Sequence, residues 1–182
     1  MQELSMNILD VAQNSIRAGA SQIEISLSID STENLLSLII RDNGCGMSES
    51  EIKHASDPFY TTNGLRKTGL GLSFLKMASE QANGSFCIKS NPQIGTTIQA
   101  SFILTHINLM PLGDIGGTIT TLILADPDID YFFCYTRNTH TFAFDTREIK
   151  KILIDLPISH PAVTIFLREY ITEQTTAVNT KT

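Results

Sequence analysis

No apolar run in this chain approaches the roughly 18 residues that a membrane span requires. The N-terminus, MQELSMNILD, lacks the basic start and apolar centre of a signal peptide. A cytoplasmic protein with no membrane partner is the expectation. Cysteine is scarce: Cys45, Cys87 and Cys134 are odd in number, far apart and in no C-x-x-C spacing, which argues against zinc or dithiol chemistry and for reduced, inert thiols. Basic residues are outnumbered, 13 Lys and Arg against 19 Asp and Glu, for a net charge of −6. Phosphate backbones would be repelled rather than neutralised, so no nucleic-acid partner is expected. There is no internal repeat, and the polar end, TTAVNTKT, reads as a disordered tail over 176–182. What is present is 182 residues with 42% apolar content, enough for one substantial core and a small second one.

Leu4, Ile8, Val11, Ala12 and Ser15 recur at helical spacing and Gly19 stands where a helix should stop, predicting a helix over residues 3–18. QIEISLSI and LLSLIIRD alternate apolar and polar residues on either side of STEN, the pattern of a β-hairpin. Ser48 with Glu51 forms a capping box for a short helix that ends before Pro58. A loop over about 57–68 precedes a helix, GLGLSFLKMASEQANG, closed by Gly84, and SFCIKS and TTIQASFIL complete a sheet.

Two glycine clusters carry the chemistry. RDNGCGM follows a strand directly, so Gly44 and Gly46 permit a sharp turn and a close approach to a flat ligand, while Asp42 can accept a hydrogen bond from an amine. Alone, this is also an ordinary tight turn. TGLGLSF opens a helix behind the basic pair Arg66 and Lys67. Glycines there leave backbone N–H groups free for phosphate, and the helix dipole favours the negative charge. Neither a Walker A loop nor a dinucleotide fingerprint is present.

In order and at compatible spacing, LDVAQNS, DNGCGM, DPFYTT, TGLGL and the late GTT resemble the GHKL superfamily of Bergerat-fold ATPases, which includes gyrase, heat-shock chaperone ATPases, histidine kinases and mismatch-repair MutL. The resemblance covers about residues 3–104. DPFYTT and TGLGLSF look most like a histidine-kinase catalytic domain, and QNSIRAGASQIEI looks more like MutL. It implies an α+β fold, a Bergerat-type sandwich with helices on one face of a mixed sheet, occupying residues 1–105 and binding ATP with Mg2+. Asn14 matches the asparagine that ligates Mg2+, and Asp42 the acid that receives the adenine amino group. Gly44 and Gly46 would let the base lie close, with Met47 as an apolar neighbour. Thr68, Gly69, Leu70 and Gly71 would hold the phosphates with Lys67 or Arg66 from the lid, and Thr96 would back the acid through its hydroxyl or a water.

Asp10, one helical turn before Asn14, departs from the resembled pattern. Hydrolysing members carry glutamate there as the base that activates water, and histidine kinases carry asparagine. Aspartate reaches about 1.5 Å less far than glutamate, so Asp10 is read either as a base for slow hydrolysis or as a water or Mg2+ positioning group. Lys67 also stands where the family's first lid glycine would be. The chain starts at the asparagine-bearing helix, so autophosphorylation on a preceding helical hairpin is not expected. His54, His106, His140 and His160 sit in no phosphoacceptor context and default to surface or capping roles.

Residues 106–175 lie outside the resemblance and read as a small α+β unit for a protein partner or regulation. It comprises a linker, HINLMPLGDIGG, then TITTLILA stopping at DPD, a hairpin around Asn138, and helices over about 146–153 and 161–173. Asp126, Asp128 and Asp130 are spaced as in a calcium loop, but the loop glycine and closing glutamate are missing. Of Tyr131, Phe132, Phe133 and Tyr135, at least one face must be buried. Three functions follow: a nucleotide-dependent switch or slow ATPase, a protein kinase acting in trans on histidine or serine, and a non-catalytic nucleotide-binding module. Many members of the superfamily act as dimers, and a homodimer is compatible with each.

Overall fold

The computed structural model describes residues 3–55, 70–154 and 156–180. The elements run α1 (Leu4–Arg17), β1 (Gln22–Asp30), β2 (Leu35–Asp42), α2 (Glu49–Ala55), α3 (Leu70–Gln81), β3 (Phe86–Asn91), β4 (Gly95–Ile103), α4 (Ile115–Ala125), β5 (Asp130–Arg137), β6 (His140–Asp145), α5 (Thr146–Leu153) and α6 (Pro161–Thr180). The expected α+β architecture is present, with six strands in one mixed sheet ordered β3-β4-β2-β1-β5-β6. All neighbours pair antiparallel except β1 and β5, which run parallel.

The period-2 pattern decides which face of the sheet is covered. Ile23, Ile25, Leu27 and Ile29 of β1, Leu36, Leu38 and Ile40 of β2, and Tyr131, Phe133 and Tyr135 of β5 are buried in one core with α1, α3, α4 and α6. The alternate residues, among them Ser26, Ser28, Ser37 and Gln99, are less deeply covered, and Glu24 and Arg41 pair across them at 3.9 Å. The strands of the 106–175 stretch, expected as a unit of its own, continue the same sheet: β5 joins β1 in register, with Ile25 opposite Phe133. Among the described residues, no helix is long and apolar enough to cross a membrane.

Helix α1 begins without a side-chain cap. The first-turn N–H groups of Leu4 and Ser5 instead donate to the carbonyls of Pro111 and Leu112, both at 2.9 Å, which satisfies two of the orphan donors at a helix start. The α1 end of the layer is thereby fastened to the segment that enters α4. Part of the expected linker is helical: Asp114 caps α4 by accepting from the Gly117 N–H at 2.8 Å. A Cβ on Gly116 would run into Thr172 of α6, so this glycine serves close helix packing rather than a flexible joint.

The disordered tail expected over 176–182 is corrected as far as Thr180, because α6 continues to that residue. Thr172, Thr175, Thr176 and Thr180 turn their hydroxyls onto carbonyls three or four residues back, so a polar sequence satisfies itself within a helix. Val178 is buried, and Asn179 accepts from the Tyr135 hydroxyl at 2.6 Å. Deleting residues 175–182 removes that burial and that hydrogen bond, about 3 kcal/mol together. Thermal denaturation should show a melting temperature lower by about 6–12 °C, at roughly 2–4 °C per kcal/mol for a chain of this size. An unchanged midpoint would contradict the docking of this helix.

Candidate functional site

At the end of β2, Asp42 points into the core side of the sheet and is buried. Its Oδ2 accepts from the Ser15 hydroxyl at 2.7 Å, and its Oδ1 accepts from the Gly44 N–H at 3.0 Å and the Thr96 N–H at 3.2 Å. A carboxylate offers about four acceptor positions. Three are used among the described residues, and the remaining one is on Oδ2.

The loop after Asp42 is fixed from both sides. The Asn43 side-chain oxygen accepts from the N–H groups of Ser21 and Gln22, each at 2.9 Å, and its amide donates to the Ser21 hydroxyl. The Cys45 N–H donates to the Ala18 carbonyl at 2.9 Å. Gly44 lies so near Ala18 that a Cβ would stand 2.9 Å from the Ala18 methyl. Gly46 has φ +66°, and a Cβ there would run into the Asn91 carbonyl. The loop's own packing therefore requires both glycines. The Met47 N–H donates to the Ser90 hydroxyl at 2.8 Å.

Two of the expected residues, Asp10 and Gly71, meet where α1 and α3 pack. Asp10 and Asn14, four positions apart, share one stripe of α1. Asp10 is exposed and makes no hydrogen bond to a described residue. Asn14 is half-buried, and its side-chain oxygen, the atom expected to face a metal, accepts from Arg17 Nη1 at 3.0 Å. Leu70 and Gly71 open α3, and a Cβ on Gly71 would stand 2.8 Å from the Asp10 Cβ. The missing side chain brings the N-terminal turn of a 12-residue helix, free of acidic residues, against Asp10. The positive dipole end of a helix suits such a turn to an anion. Lys67, Thr68 and Gly69 lie outside the described residues, as does the 57–68 loop.

Thr96 lies against Asp42, and of the two expected routes the direct hydroxyl contact is not the one present. Its backbone N–H reaches the carboxylate, while its hydroxyl lies 2.9 Å from the Ser90 hydroxyl. Sequence reasoning missed Ser15, Asn43 and Ser90 as parts of the site. Ser15 carried a usable signal: a hydroxyl on the apolar stripe of a helix must find a partner. Asn14 offers one hard amide oxygen, and magnesium is held by few protein atoms together with the phosphates it accompanies.

A family model described as histidine kinase-, DNA gyrase B- and HSP90-like ATPase matches residues 2–106. Sensor histidine kinase YvrG of Bacillus subtilis (strain 168) is 33% identical over 93 residues, covering 49% of this chain and 16% of that protein. Cell-division control histidine kinase PdhS of Brucella abortus (strain S19) is 30% identical over 122 residues, covering 59% of this chain and 11% of that protein. The chain thus spans only a small part of either kinase. Among solved structures, the N-terminal domain of a DNA repair protein superposes with TM-score 0.55 at 16% identity, over 79% of this chain and 52% of that one. The Aquifex aeolicus MutL ATPase domain complexed with ADP gives TM-score 0.51 at 12% identity, over 84% of this chain and 69% of that one. These two likenesses concern the fold.

Proposed function

Because the chain belongs to the histidine kinase-, DNA gyrase B- and HSP90-like ATPase family, we propose that it binds ATP with Mg2+ and acts as a nucleotide-dependent switch or slow ATPase. The observation that carries this reading is Asp42, a buried carboxylate held by three donors with one acceptor position left. One of those donors, Ser15, sits on the same helix as Asp10 and Asn14. In this reading Asp42 takes the exocyclic amine of the base and Asn14 holds the metal. Lys67, Thr68, Gly69, Leu70 and Gly71 receive the phosphates. Asp10 positions a water and takes its proton. Bound magnesium would supply neutralisation of phosphate charge.

The switch rests on how α1 is anchored. The helix bearing Asp10 and Asn14 is tied at its start to Pro111 and Leu112, and α4 packs against both α1 and α6. A shift of α1 on nucleotide binding is thereby passed to the 106–180 segment, where a protein partner would read it. Hydrogen exchange with and without Mg-ATP tests this. Protection should change at Leu4 and Ser5 and along α4, as well as around Asp42. Changes confined to the nucleotide site would contradict the switch.

A second reading, a protein kinase acting in trans, is favoured by the relatives being histidine kinases. Radiolabelled γ-phosphate appearing on an added protein, rather than as free phosphate, would select it.

A further inference from the structure

We propose that Ser90, on β3, is the positioning residue that sets the base end of the nucleotide pocket; the inference rests on the nucleotide reading above and deepens it. A hydroxyl has one proton to donate and two lone pairs to accept with. Ser90 uses all three within the site. Its Oγ accepts from the Met47 N–H at 2.8 Å, donates to the Gly95 carbonyl at 3.0 Å, and lies 2.9 Å from the Thr96 hydroxyl. With the Ser90 proton on Gly95, the Thr96 hydroxyl is the donor to Ser90. That assignment explains why Thr96 meets Asp42 through its backbone N–H.

The three partners come from both sides of the base pocket. Met47 ends the glycine loop that begins at Asp42. Gly95 has φ +127°, and a Cβ on it would run into the Asp42 carbonyl, so its backbone lies directly against that of Asp42. Thr96 stands opposite Asp42 in the β2–β4 register. Ser90 therefore joins the wall formed by Met47 to the wall that orients the acid, across 43 residues of sequence in one direction and 5 to 6 in the other. Without the hydroxyl, the Met47 N–H, the Gly95 carbonyl and the Thr96 O–H lose their shared partner, and the loop is free to shift relative to Asp42. Among the described residues Ser90 hydrogen-bonds to Met47, Gly95 and Thr96 and to none of Asp10, Asn14, Leu70 or Gly71, so its influence belongs to base recognition.

Three proteins, the parent, Ser90→Ala and Ser90→Thr, are titrated calorimetrically with ATP, GTP and inorganic tripolyphosphate in the presence of Mg2+. The parent is expected to prefer ATP over GTP. Ser90→Ala should weaken ATP about tenfold, reduce the ATP-to-GTP preference by a similar factor, and leave tripolyphosphate affinity within twofold. Ser90→Thr, which keeps the hydroxyl, should retain the preference. A uniform loss for all three ligands, an unchanged preference in Ser90→Ala, or a preference lost equally in Ser90→Thr would each overturn the proposal. A Ser90→Ala protein that does not fold leaves Ser90→Cys, whose weak thiol donor should give the same loss of preference; a Ser90→Cys protein with full preference overturns it. Failure of the parent to bind ATP at all would instead sink the nucleotide reading itself.

Discussion

Asp42→Asn should lower ATP affinity about 100-fold while the protein stays folded. The asparagine oxygen can still accept from Gly44 and Thr96, and its amide nitrogen can donate to Ser15, whose hydroxyl turns to accept. The three internal hydrogen bonds survive in altered polarity, so the melting temperature should move little. What changes is the fourth position, where an acceptor becomes an N–H facing the donor of the base. The charge-assisted hydrogen bond is worth roughly 1.5–3 kcal/mol, and an unpaired buried donor adds to its loss. At 1.4 kcal/mol per tenfold, about two orders of magnitude follow. Calorimetric titration checks the affinity and circular dichroism the fold; an affinity within threefold of the parent would remove Asp42 from base recognition. Asp42→Ala is the less informative substitution, because it strands three donors in the buried interior and changes stability and binding together.

Asp10→Asn should bind Mg-ATP within threefold of the parent and turn it over about 100- to 10,000-fold more slowly, the span over which a positioned general base acts. The two side chains are nearly the same size, so the contact with Gly71 is kept. Asp10 is exposed and has no described hydrogen-bond partner, so nothing in the fold depends on its charge. Single-turnover phosphate release measures the effect. Equal rates in parent and variant would leave Asp10 as a positioning group only.

Features whose causes are local were legible in the sequence. The first helix, expected over 3–18, runs over Leu4–Arg17. The capping box is present as Glu51 accepting from the Ser48 N–H at 2.8 Å. The helix expected over 146–153 starts and stops there, with Asp145 accepting from the Arg147 N–H at its cap. Features whose causes are distant were not. Ser15 reaches Asp42 across 27 residues, and Ser90 reaches Met47 across 43; the apolar stripe of α1 marks Ser15 as needing a partner without saying which, and no local pattern marks Ser90. The glycines of IGG read as linker by composition, yet Gly116 is needed against Thr172 from α6. The end read as tail because its composition is polar, whereas here its threonine hydroxyls fold back onto the helix and Val178 docks. Of the expected site, Gly71 meets Asp10 where α3 packs on α1, Asn14 lies one turn further along α1, and Asp42, Gly44, Gly46, Met47 and Thr96 assemble around the loop after β2.

The account depends first on whether this chain binds an adenine nucleotide through that assembly. The most direct measurement is a calorimetric titration of the parent protein with ATP, once with Mg2+ and once with a chelator. Saturable one-to-one binding that is tighter with Mg2+ and stronger for ATP than for GTP is the predicted result. No saturation at millimolar ATP, or equal affinity for the two bases, would contradict it.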